Sequence, residues 1–134
     1  MARRTFDEAL KALENDIQVM GDLVGRSTAD SVGALVQRQP ALADRVLERE
    51  SEVNRLWVGT EQNVQALVAL QAPVASDLRE VLAVLAIATD LERSGDHAKS
   101  IARGALDSDG SAPPGVLVTL ERMADAARRS CATS

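Results

Sequence analysis

The chain has 134 residues, enough for one domain with a usable core, and 46% of them are apolar, mostly Ala, Val and Leu. A net charge of −5, the absence of a basic run, and a single Phe, a single Trp and no Tyr exclude a nucleic-acid binder, which needs cationic tracks or stacking platforms. There is no uninterrupted apolar stretch of about 18 residues, so no membrane insertion is expected, and the lone Cys131 cannot close an internal disulfide, which points to the cytoplasm.

Such an aliphatic composition favours helices packed through seams over a sheet, and the expected class is all-α. The spacing predicts a first helix over Asp7 to Gln37. Phe6, Leu10, Leu13, Ile17, Met20 and Val24 recur at steps of 4, 3, 4, 3 and 4, with Val32 and Leu35 prolonging the stripe after a weaker stretch. Thr5 is the expected N-cap, with Glu8 as its capping-box partner. Gly21, Gly25 and Gly33 either permit close helix approach or are simply tolerated.

Pro40 ends this helix and opens the next, expected over Ala41 to Leu70. Its seam is Leu42, Val46, Val53, Leu56, Trp57, Val64 and Leu67, interrupted by Arg49 and Thr60. Glu50, Asn54 and Glu61 form a line roughly 60–100° from Val53, at the edge of the apolar face. On this helix alone a solvated flank explains that line more readily than a site does.

Gln71-Ala72-Pro73 is the next break, followed by a third helix over Val74 to Leu106. Asp77 in its first turn suits the helix dipole. Val84, Ile87, Leu91, Ala98, Ile101 and Ala105 make a second apolar face, so this helix is expected to be central. Asp107 to Gly115 has linker composition, and Val116 to Arg129 predicts a short fourth helix with Leu117, Leu120 and Met123 inward, before a tail. The expected organisation is an antiparallel three-helix bundle over residues 1–107, with 108–134 forming linker, fourth helix and tail.

On a wheel at 100° per residue, Val74, Leu78, Leu85, Glu92 and Asp96 of the third helix fall within about 20° of one line. Two carboxylates thus stand where the pattern predicts hydrophobes, and a buried acid must be paired, protonated or bound to a cation. Glu92 and Asp96 share a face at i, i+4, and Glu50, Asn54 or Glu61 facing them would complete an oxygen-donor set for iron or a hard cation. The alternative is a structural network in which Lys99, Arg103 or an arginine of another helix pairs with the two acids. His97, the single histidine, lies about 100° from Asp96 and is expected at the surface. Nucleophilic catalysis finds no support, since there is no nucleophile elbow, no phosphate loop and no dinucleotide fingerprint.

Gln71-Ala72-Pro73-Val74-Ala75-Ser76-Asp77-Leu78-Arg79, followed by Leu91-Glu92-Arg93-Ser94-Gly95-Asp96-His97-Ala98, resembles the signature of the PhoU family of phosphate-uptake regulators. Met20-Gly21 and Val46 to Asn54 fit the same pattern, and the resemblance covers about residues 6–106. It implies antiparallel three-helix repeats, usually two per chain. It also implies a non-enzymatic adaptor between the ATPase subunit of a phosphate ABC transporter and a sensor histidine kinase, suppressing phosphate-starvation signalling when phosphate is plentiful.

The resemblance further implies metal binding through acid-x-x-x-Asp motifs, with iron, zinc, manganese or magnesium as candidates. Glu92-x-x-x-Asp96 matches such a motif; Glu50-x-x-x-Asn54 departs from it by a neutral second residue, and Glu61 falls at a usually acidic position. One repeat here, in place of two, implies a homodimer in the cytoplasm, peripheral to the inner membrane through its partners. Two alternatives stand beside this: a ferritin-like carboxylate protein, which would need Glu-x-x-His pairs that the single His97 cannot supply, and a metal-free helical interaction module.

Overall fold

The computed structural model describes residues 2–107 and, beyond them, helical positions at Val118, Thr119, Arg122, Met123, Asp125, Ala126 and Arg129. Three helices make up the described fold: α1 (Ala2–Gln37), α2 (Pro40–Gln71) and α3 (Ala75–Asp107). Joined by short turns, they run up, down and up, and each packs against both others. No helix is central, which corrects the expectation for α3. Its second apolar face is only partly covered: Val84 and Ala98 are buried, while Ile87 is exposed.

Most of the buried positions follow three heptad lines, with Gly25 and Val32 of α1 buried beside them. On α1 the line is Phe6, Leu10, Leu13, Met20, Val24, Ser27, Ser31 and Ala34; on α2 it is Ala43, Val46, Val53, Thr60, Val64 and Leu67; on α3 it is Asp77, Val81, Val84, Ala88, Gly95, Ala98 and Ala102. Steps of three and four average 3.5 residues per turn, the repeat of a left-handed supercoil. Burying each Val on these lines stabilises the fold by roughly 1.5–3 kcal/mol. The apparent weak stretch of α1 is therefore the same seam continued in small residues, with Ser31 Oγ donating to the Thr28 carbonyl at 2.8 Å.

Helix α1 begins before its expected cap. Arg3 donates to Asp77 at the start of α3, pairs with Asp7 at 3.4 Å and lies over the Phe6 ring. These contacts hold an additional turn in place, so Thr5 is helical and Glu8 pairs with Arg4. Asp77 thus serves the interhelical contact as well as the dipole. Pro40 occupies the first turn of α2 as expected. Ala72 caps its far end at φ 41°, with its N–H on the Val68 carbonyl.

Gly33 approaches Leu42 closely enough that a Cβ would lie 3.2 Å from its Cδ1, whereas nothing lies within 4 Å of a Cβ built on Gly21. The fourth helix as an element, with Leu117 and Leu120, lies outside the described residues; Met123, expected inward, is exposed.

Thr60 sits on the α2 line, fully buried, with no hydrogen-bond partner for its hydroxyl among the described residues. A buried hydroxyl without a partner costs about 1–3 kcal/mol, and valine has nearly its shape. Thr60→Val is expected to raise stability by about 1 kcal/mol in urea denaturation followed by Trp57 fluorescence. A loss of stability would place a bonded solvent molecule at that hydroxyl.

Candidate metal centre

The carboxylates of Glu50, Glu92 and Asp96 converge, with one oxygen from each lying within 4.8 Å of the others. Glu50 occupies the α2 heptad position between Val46 and Val53, not the edge of the apolar face. Glu92 and Asp96 stand one turn apart on α3, beside its buried line. All three are half-buried, so Glu92 and Asp96 rim the α2–α3 groove and do not lie in the core as the wheel suggested. Val74, on the same wheel line, is exposed. At 100° per residue the wheel drifts by about 20° per heptad from a 3.5-residue seam, roughly 60° between Val74 and Asp96.

The two helices are antiparallel, and one hydrogen bond marks their register: Trp57 Nε1 donates to Thr89 Oγ1 at 3.3 Å. Seven residues back along α2 and six forward along α3, Glu50 meets Gly95. A Cβ built on Gly95 would lie 2.9 Å from Glu50 Oε2. The missing side chain is the space that the carboxylate fills. On the other flank, Arg49 pairs with Asp30 of α1 in a half-buried ion pair, so the two neighbouring residues tie α2 to both partner helices.

Burial pushes the Glu50 carboxyl up to about 7, reinforced by its hydrogen bond to Asp96 and by the Asp96 charge. Glu92 is raised by the same causes in the same order. Asp96 is lowered, chiefly by accepting the hydrogen bond from Glu50. Lys99, 3.9 Å from Asp96, offsets part of the negative charge. Three carboxylates around one lysine leave an excess that protons or a cation must balance. Oxygen donors of this kind suit a hard cation or iron.

The other candidates fall elsewhere. Asn54 is exposed one turn along α2 from Glu50, and Glu61 lies about 16 Å down that helix, outside the cluster. His97 is exposed, as expected. Sequence reasoning missed the role of Gly95 and the Asp30–Arg49 pair. A glycine at a heptad position in the middle of a 33-residue helix was the available signal for the first.

The PhoU domain model matches residues 17–105, which include all three acids and Gly95. The chain belongs to the PhoU family. It is 39% identical over 99 residues to a PhoU homologue of the phosphate-specific transport system of Synechocystis, covering 74% of this chain and 44% of that protein. With the Rhizobium meliloti homologue the identity is 38% over 123 residues, covering 91% and 52%. With the accessory protein PhoU of Escherichia coli it is 31% over 118 residues, covering 88% and 49%. The chain thus spans about half the length of the curated PhoU relatives it matches.

A carboxyl held above its unfolded value stabilises the fold at low pH and loses that contribution as pH rises through the folded value. For Glu50 that window runs from about 4.5 to about 7. Metal-free protein is therefore expected to melt at a lower temperature at pH 8 than at pH 5.5, and Glu50→Gln is expected to flatten the difference. Parallel pH profiles for the two proteins would show that the cluster does not govern this dependence.

Proposed function

We propose that this protein is a non-enzymatic regulator of phosphate uptake that negatively controls phosphate transport and phosphate-starvation signalling through contact. The observation that carries this reading is the three-carboxylate cluster, which lies inside the segment shared with relatives named as accessory proteins of the phosphate-specific transport system. The proposed partners are the ATPase subunit of a phosphate ABC transporter and a sensor histidine kinase. The setting is the cytoplasmic side of the inner membrane, reached through those partners; no helix among the described residues is long and apolar enough to cross a membrane.

Glu50, Glu92 and Asp96 would hold a metal ion, with iron, zinc, manganese and magnesium all compatible with their oxygen donors. Bound there, a cation would neutralise the cluster and give phosphate a positive partner that the bare acids lack. The chain's own contribution is to bring α2 and α3 into the register that joins the acids, and to exclude water from one side of Glu50. A ferritin-like storage role is disfavoured because His97 is exposed and is not among the grouped ligands.

We also propose that two copies associate. Val19, Leu82 and Ile87 are each about half exposed on the bundle surface, apolar area that a second copy would cover.

Two experiments test this reading. In a bacterium lacking its own accessory protein, a phosphate-starvation reporter stays active in rich phosphate; expression of this chain is expected to return it to the repressed level, whereas Glu92→Ala/Asp96→Ala is expected not to. A stably accumulating wild-type chain that leaves the reporter active would sink the regulatory reading. The purified protein, at tens of micromolar, is expected to have the mass of a dimer and to carry about one metal ion per chain, lost in the double variant. A monomer would remove the dimer, and equal metal content in both proteins would remove the site.

A further inference from the structure

We propose that Gly95 is the positioning residue of the carboxylate cluster: its missing side chain admits Glu50 of α2 to Glu92 and Asp96 of α3. Any larger residue there would leave two carboxylates in place of three. The proposal takes the cluster as the cation site described above and adds what decides its composition.

The argument is steric. A Cβ on Gly95 would meet Glu50 Oε2 at 2.9 Å, closer than such atoms approach, but Val53 Cγ1 at 3.5 Å and Val24 Cγ2 at 3.7 Å, which are ordinary contacts. The helices therefore have room for a methyl group, and the Glu50 carboxylate does not. That carboxylate is the free end of a flexible side chain on a half-buried residue, so it can swing outward without moving the backbone. Glycine is also a poor residue for the interior of a helix, and alanine is the best one. Helix stability alone would favour alanine at position 95. Close helix packing does not require glycine either, since the two valine contacts would remain acceptable.

Consequently Gly95→Ala separates the site from the fold: the bundle keeps or gains stability while the third carboxylate leaves. A purely structural glycine would behave in the opposite way.

The test compares wild type, Glu50→Gln, Gly95→Ala and the double variant. Manganese affinity is read by titration calorimetry, and melting temperature is read with chelator at pH 8.5. Each single variant is expected to weaken manganese binding by about tenfold, and the double variant to be no weaker than either single. Gly95→Ala binding manganese like wild type, or additive losses in the double variant, would overturn the proposal.

If wild type takes up no manganese, the cation reading fails by itself and the melts decide. Glu50→Gln relieves carboxylate repulsion and is expected to raise the melting temperature by about 2–4 °C in the wild-type background. The same substitution is expected to change nothing in the Gly95→Ala background, where the third carboxylate has already left. Equal shifts in the two backgrounds would overturn the proposal, as would Gly95→Ala alone melting below wild type.

Discussion

Like charges gathered within 4.8 Å of one another set the terms for the rest of this structure. Glu50, Glu92 and Asp96 cannot all be ionised in a half-dry groove without a compensating partner. Burial and the Asp96 charge raise Glu50 toward neutrality, and the nearby charge of Lys99 offsets part of what remains. Trp57 bonded to Thr89, and Arg49 paired with Asp30, brace α2 on both sides of the cluster. The apolar seam supplies the force, and the polar contacts select the register.

That division of labour is compatible with the contact role proposed above. Nothing in the cluster resembles a nucleophile paired with a base, and the described surface is the outside of a helical bundle. A cation bound at the cluster would neutralise the carboxylates and hold α2 and α3 together.

The bundle and its three helices were legible from the steps of three and four, because Phe6, Leu10, Leu13, Met20 and Val24 leave no other consistent reading. The turns were legible from Pro40 and Pro73. What escaped was the polar part of the seam. Ser27, Ser31 and Thr60 occupy core positions that a search for large hydrophobes skips. Glu50 was assigned to a flank because an ideal wheel separates it from Val53 by about 60°, whereas the two halves of a supercoiled seam are spaced that far apart. The same drift carried Glu92 and Asp96 into a core that they only border. The start of α1 was hidden for another reason: Arg3 finds its partner 74 residues away, and no local cap rule anticipates it. Gly95 acquires its meaning only when α2 is laid against α3.

Side-chain size falls along the axis of the bundle. One end is filled by Phe6, Leu10, Leu13, Val64, Leu67, Val81 and Val84, and the other by Ala34, Ala43, Val46, Ala98 and Ala102. Apolar area scales with size, so the cohesion of each layer declines from the first end to the second. Transient opening is therefore cheapest at the alanine end. The cluster stands between that end and the middle layers of Met20, Val24, Val53 and Ala88. A cation bound there would tie α2 to α3 where the bundle passes from its larger side chains to its smaller ones, and would so extend the firmly held part of the molecule.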